Sequence, residues 1–358
     1  MTPAVPVDGL VHPYDLGAWR RWEGSHHRAR RAKAAVVDGV RTALGRPAIP
    51  DDVLSLHGTC PQVLVVVDAP TSSQRAALLA PLAHMLAEGT DVAVVSPAAV
   101  VPHLPGDGDA WTTVPLTAGS VSERLETVHS VLAVGHYLPL GAGAYRWAQR
   151  RGARFIVVQH GLLTPFMAPL PAGAHLLAWS AADAAFWASG RTDITYEVVG
   201  SQLLWRAAQE PRIAVAVDAR PTFLGQLHGV ELGRRYMTRV SEHFCTTTGA
   251  RYRPHPSERD RLSRLTHARW EHRGIDIDRS DTPLFRTASP VVSVFSTGIL
   301  EAAARGIPAW CYAMDAPSWL VGFQTRYNMS PWYDAPTSYP LVSGAEPAAV
   351  IARTSLSP

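Results

Sequence analysis

A chain of 358 residues is long for one domain and comfortable for two, and its 47% apolar content leaves enough material for two cores, which excludes a disordered polymer. The formal charge of +3 is small for this length and does not call for nucleic acid as a partner. The longest apolar runs, such as Val63 to Val67 and Phe155 to Val158, fall far short of the roughly 20 residues that cross a bilayer, so no spanning segment is expected.

No secretory leader is recognisable at the start, and Cys60, Cys245 and Cys311 are widely separated and odd in number, so a reducing cytoplasm is the expected compartment. The stretch from Arg20 to Lys33 gathers Arg20, Arg21, Arg28, Arg30, Arg31 and Lys33 close to Trp19 and Trp22. It reads either as a solvated helical face or as a patch for anionic lipid or a polyanionic acceptor, which would make the protein peripheral at the inner face of the membrane.

Gln62 to Asp68 then reads as a buried strand, with Pro70 to Ser73 as turn and helix cap. Leu78, Leu79, Leu82, Met85 and Leu86 recur at helical spacing before Gly89. Further strands are expected at Asp91–Val95, Val131–Gly135, Arg154–Val158, Leu176–Ser180 and Glu197–Val199, with helices around Tyr145–Arg150 and Ala181–Ser189. Short buried strands alternating with helices imply parallel pairing.

A polar, proline-containing link at Gln209 to Arg212 divides residues 1–210 from 211–358. The alternation then restarts with strands at Ile213–Asp218, Arg251–Arg253, Ile275–Asp278, Val291–Phe295 and Pro308–Ala313. Helices are expected at Gln226–Thr247, Glu258–Arg273 and Gly298–Arg305.

Three strand ends carry chemistry. Val291 to Pro308 runs a buried strand into Ser296, Thr297 and Gly298 and straight into a helix, whose unpaired N–H groups and positive dipole end suit phosphate. The same residues would also make an ordinary helix cap. In Arg251 to Glu258, prolines 254 and 256 fix the backbone around His255, which can donate to a phosphate oxygen, protonate a leaving phosphate, or simply order its loop. Phe155 to Thr164 ends a strand in Gln159, His160 and Gly161, where a neutral imidazole could accept a hydroxyl proton. Two Asp-x-Asp strings, Asp107 with Asp109 and Asp276 with Asp278, read as solvated surface, and the cysteines lack zinc-ligand spacing, so no metal and no cofactor is expected.

The order VVQHG, LLAWSAADAAFW, VVGSQLLW, RPHP and FSTGILEAAARGIP, spanning roughly residues 130 to 315, resembles bacterial cell-surface transferases of the GT-B group. It looks most like the CDP-glycerol or CDP-ribitol polyolphosphate transferases and those using CMP-activated nonulosonic or ulosonic acids. The resemblance implies an α/β, GT-B-like fold of two Rossmann-like βα domains facing a central cleft, the N-terminal one on the acceptor side and the C-terminal one holding the nucleotide.

By motif it implies that His255, Ser296, Thr297 and Gly298 meet the donor phosphate, that Glu301 holds the ribose, and that Gln159, His160 and Gly161 face the acceptor, with His160 and His255 catalytic. The donor would be a CMP-sugar or CDP-polyol and the acceptor a glycan or polyol phosphate of a capsule or teichoic-acid-like polymer. The chain departs from the polyolphosphate pattern in having Gln159 before His160 and Leu162, Leu163, Thr164 and Pro165 after Gly161. A UDP-sugar transferase or epimerase, or an inactive nucleotide-sugar-binding relative, are the alternative readings.

Overall fold

The computed structural model describes residues 5–26, 52–117, 121, 124–212, 214–227, 229, 231–280, 289–339 and 344–357. Arg28, Arg30, Arg31 and Lys33 of the basic segment therefore lie outside the described residues. The chain divides into two α/β units. One comprises residues 9–203 with 344–358, and the other residues 1–8 with 204–343. The division thus falls a few residues before the polar link at Gln209 to Arg212. The C-terminal helix Pro347–Leu356 packs with the N-terminal unit, not with the unit that precedes it in sequence.

The N-terminal unit opens with α1 (Leu16–His26), then β1 (Asp52–His57), β2 (Val63–Val66), α2 (Ala80–Ala87), β3 (Val92–Pro97) and β4 (Trp111–Pro115). It continues through β5 (Ser130–Ala133), α3 (Pro139–Arg151), β6 (Arg154–Val158), β7 (His175–Ala178), α4 (Ala181–Ala188) and β8 (Thr195–Val198). The sheet order is β4-β1-β3-β2-β5-β6-β7-β8. The six strands β3, β2, β5, β6, β7 and β8 pair in parallel, while β1 pairs antiparallel with both β3 and β4, an edge that the sequence did not announce.

Alternate residues of a strand face opposite sides, and both sides are buried here. Leu64 and Val66 join one core cluster, and Val63, Val65 and Val67 the other. Pro139 begins α3 where its missing N–H costs nothing, and Gly152 ends it in the left-handed region at φ 69°. Gly141 lets that helix approach β5, because a Cβ there would lie 2.1 Å from the Gly135 carbonyl oxygen.

From α5 (Gln202–Gln209) the chain enters the C-terminal unit: β9 (Thr222–Leu224), α6 (Arg234–Thr248), β10 (Arg251–Arg253), α7 (Arg261–His272), β11 (Val291–Ser293), α8 (Thr297–Ala304), β12 (Ala309–Cys311) and α9 (Ser318–Arg326). Its four strands are all parallel, in the order β10-β9-β11-β12. The expected strand at Ile213–Asp218 is not one. Its described residues form loop and turn, and the central strand is Thr222–Leu224. At Ile275–Asp278 only a single bridge, Tyr252 to Ile277, adds to the sheet edge. The units are accordingly two Rossmann-like βα layers, as the alternation of elements predicts. Among the described residues no helix is long and apolar enough to cross a membrane.

Candidate functional site

In the C-terminal unit, β10 and β11 both lie beside β9 and run parallel to it, so the loops that follow all three leave the same edge of the sheet. The strand order reverses at β9, and the crevice beyond such a reversal is where open α/β sheets bind ligands. His255 follows β10 and Ser296 follows β11. Two strand spacings, about 10 Å, separate those strands.

His255 has a defined tautomer. The Ser257 N–H donates to its Nδ1 at 3.1 Å, which leaves the ring proton on Nε2, and the Glu258 N–H donates to its carbonyl at 2.8 Å. Desolvation lowers its pKa, with Glu258 pulling the other way, so the ring is neutral at pH 7. Ser296 caps α8, its Oγ accepting from the Gly298 N–H at 3.1 Å. A hydroxyl that accepts still has its own proton to donate, so the cap and a phosphate contact are compatible at one residue. Thr297 begins the helix and Gly298 is buried. Glu301 lies one turn on, where burial raises its carboxyl to about 7 against the pull of Arg305.

Two supports of this edge escape motif reading. The Gln226 Oε1, in the loop after β9, accepts from the Ser293 hydroxyl at 3.0 Å and the Phe295 N–H at 3.3 Å, tying that loop to the end of β11. Glu258, expected to begin a helix, lies instead in the loop before α7, whose cap is Asp260. Its buried carboxylate accepts from the Leu227 N–H at 2.9 Å and the Tyr252 hydroxyl at 2.9 Å, and pairs with His267 Nε2 at 3.0 Å. Burial pushes this carboxyl up, but the bonds from His267, Leu227 and Tyr252 outweigh it and the net shift is downward. The His255 loop is thereby anchored to β9, β10 and α7 together. A buried hydrogen-bonded acid one turn past an HP pair is the signal that would have found it.

In the N-terminal unit, Gln159, His160 and Gly161 follow β6. Gln159 is wholly occupied with protein: its Nε2 donates to the Gly161 carbonyl at 3.1 Å and to Asp183 at 2.9 Å, and its Oε1 accepts from the Trp179 N–H at 2.8 Å. It orders the loop that carries His160. Burial pushes His160 down to about 4, so the ring is neutral. A cavity of about 10 Å³, room for one water molecule, lies against His160, Gln159 and Trp179.

The Asp-x-Asp strings hold no ligand cluster. Asp276 takes Arg220 and Arg251, Asp278 takes Arg253 at 3.1 Å, and among the described residues no group of three or more His, Cys, Asp or Glu could hold a metal ion. A larger cavity of about 670 Å³ runs along α3 from Pro139 to Arg151 and touches none of the residues singled out by sequence.

No protein-family model matches the chain, and no curated protein sequence matches it. Among solved structures it is similar to the UDP-GlcNAc 2-epimerase of Methanocaldococcus jannaschii, at 12% identity and a TM-score of 0.43 over 82% of this chain and 99% of that one. It is similar to a mutant O-GlcNAc transferase of Thermobaculum terrenum, at 12% identity and a TM-score of 0.44 over 84% and 60%. It is also similar to the glycotransferase of kitacinnamycin, at 12% identity and a TM-score of 0.40 over 84% and 90%.

Proposed function

We propose that this chain transfers a glycosyl or polyolphosphate group from a cytidine-nucleotide donor, a CMP-sugar or CDP-polyol, to a hydroxyl of a glycan or polyol-phosphate acceptor. The observation that carries the reading is the shared edge of the C-terminal sheet. Parallel pairing brings the His255 loop and the start of α8 to the two sides of the strand where the order reverses.

In this reading the phosphate takes its hydrogen bonds from His255, from the Ser296 and Thr297 hydroxyls and from the first amides of α8. In both donor classes CMP leaves, and these groups stabilise the charge that gathers on its phosphate as the bond breaks. Glu301 supplies an acceptor or donor for the ribose hydroxyls. The N-terminal unit serves the acceptor, and the motif resemblance names His160 there.

A thermal-shift and calorimetric screen against CMP, CDP, UDP, GDP and ADP tests this, because a ligand that binds only the native state raises its melting temperature. Binding of CMP and CDP above the others is expected. Preference for UDP moves the reading to a UDP-sugar transferase or epimerase, and binding of none of them removes the donor site.

A further inference from the structure

The cavity of about 670 Å³ beside α3 lies wholly within the N-terminal unit. Leu64 of β2 and Val95 of β3 line it from the sheet, Leu140 and Trp147 from α3, and Leu116 and Leu125 from the connection between β4 and β5. Leu116 and Leu140 are only half-buried, and Thr117, Pro139 and Arg146 on the same wall are exposed, so the cavity opens to solvent. Its size falls in the range of small-molecule sites, about 300–1,000 Å³.

Two glycines of α3 explain how that space stays open. Gly141 is required for packing, since a Cβ there would strike the Gly135 carbonyl oxygen. Gly143 lines the cavity, and a Cβ there would meet no atom within 4 Å. Glycine inside a helix destabilises it relative to alanine, and no close approach offsets that at Gly143. What the residue provides is room.

The same wall carries charge. Arg146, Arg150 and Arg151 line the cavity towards the end of α3. Arg151 donates to the Glu126 carbonyl at 3.3 Å, whereas Arg146 and Arg150 have no hydrogen bond or ion pair among the described residues. Arg150 and Arg151, in the last turn, also suit the negative end of the helix dipole. Arg146 stands a turn earlier, where that gain has faded, and four residues before Arg150 it is its neighbour on the helix surface.

We propose that this cavity binds a single-chain anionic amphiphile, an alkyl phosphate monoester, with its chain over Gly143 and its phosphate between Arg146 and Arg150. The charges match: a phosphate monoester carries about −1.5 to −2 at pH 7 and meets guanidinium groups in paired hydrogen bonds, so it answers two unpaired arginines. The lengths match as well, because α3 rises about 16 Å from Pro139 to Arg150 and offers an extended chain a continuous apolar wall. The site goes beyond the transferase reading and does not depend on it, since the proposed donor phosphate lies in the other unit.

The test is calorimetry on the full chain with dodecyl phosphate, dodecanoate, dodecyl maltoside and dodecyltrimethylammonium, each below its micelle concentration, with the melting temperature read alongside. Dodecyl phosphate should bind once per chain, raise the melting temperature, and bind at least about tenfold more tightly than the uncharged and cationic amphiphiles. Dodecanoate, with one charge, should bind more weakly than the phosphate. Arg146→Gln combined with Arg150→Gln should bring dodecyl phosphate to within about twofold of dodecyl maltoside. Gly143→Leu, which puts a side chain into the cavity, should weaken dodecyl phosphate by about tenfold or more. Gly143→Ala should keep binding and melt no lower than wild type.

No binding of dodecyl phosphate, or binding that lowers the melting temperature as a denaturing surfactant does, overturns the proposal. Equal affinity for all four amphiphiles, or tighter binding of dodecanoate, overturns the phosphate head. A Gly143→Leu protein that binds as wild type does puts the chain elsewhere, and a Gly143→Ala protein that melts lower shows the glycine to be packed and removes the open wall. Should Gly143→Leu fail to fold, the arginine variant decides: unchanged preference for dodecyl phosphate overturns the site.

Discussion

Glu301 offers a perturbation whose sign and size can be worked out beforehand. Burial lifts its carboxyl from an ordinary 4.5 to about 7. A group whose pKa is higher in the folded state binds its proton more tightly there, so stability falls as pH rises from 4.5 to 7, and above pH 7 the fold carries the full cost of a buried carboxylate. At about 1.36 kcal/mol per pH unit that cost is about 3 kcal/mol.

Glu301→Gln keeps the shape and removes the charge. It should stabilise the C-terminal unit by up to about 3 kcal/mol at pH 8 and by nearly nothing at pH 4.5. The unit reports on itself through its thiols, since Cys245 and Cys311 are buried in it whereas Cys60, in the other unit, is exposed. Urea-dependent labelling of Cys245 and Cys311 at the two pH values gives the difference without interference from Asp68, whose raised carboxyl acts in the same direction in the N-terminal unit. A variant no more stable than wild type at pH 8 refutes the buried-carboxylate argument. If Glu301 also meets the ribose, the same variant weakens CMP binding by about 1 kcal/mol.

His255→Ala should lose CMP affinity by about 1.5–3 kcal/mol, the scale of a hydrogen bond to a charged group, and calorimetry that finds no change removes His255 from the phosphate site. Gly225→Ala would place a Cβ 2.3 Å from the Tyr252 hydroxyl, which donates to Glu258 Oε2, and 2.7 Å from Glu258 Oε1, which accepts from the Leu227 N–H. It should destabilise the C-terminal unit by about 1–3 kcal/mol in urea titration, and a neutral result would show that the Glu258 anchor yields easily. Neutralising Arg28, Arg30 and Arg31 should weaken sedimentation with anionic liposomes while leaving CMP affinity unchanged; sedimentation unchanged at low salt returns that segment to a solvated face.

The strands that the sequence revealed are those buried on both faces. Val63 to Val67 and Phe155 to Val158 are continuous apolar runs because parallel strands under two helical layers have no solvent side. β4, Trp111–Pro115, is partly exposed along its length and has no such run, and it pairs at an antiparallel edge that only the whole sheet defines. The apolar stretch at Ile213 reads as a strand on the same rule, yet β9 is the three residues Thr222–Leu224, too short to show a period. His255 and Ser296 were legible as candidates because they are polar residues set two and three positions after a strand. Asp68 and His136 obey the same rule after β2 and β5, but single residues without an accompanying motif gave the eye nothing to hold.

Each sheet has a strand whose two neighbours lead the order in opposite directions, β2 between β3 and β5 and β9 between β10 and β11, and each has a helix start beside that reversal, yet the two helix starts are finished differently. At α8 the cap is a neutral hydroxyl, Ser296, which satisfies one amide and leaves the dipole end uncompensated by charge. At α3 the amides of Leu140 and Gly141 face the Asp68 carboxylate, so the protein supplies its own anion. A helix end worth about half a positive charge favours an incoming phosphate in the first case; in the second it already faces the protein's own carboxylate. This difference supports, independently of the HP motif, the proposed seat of the donor phosphate at the start of α8.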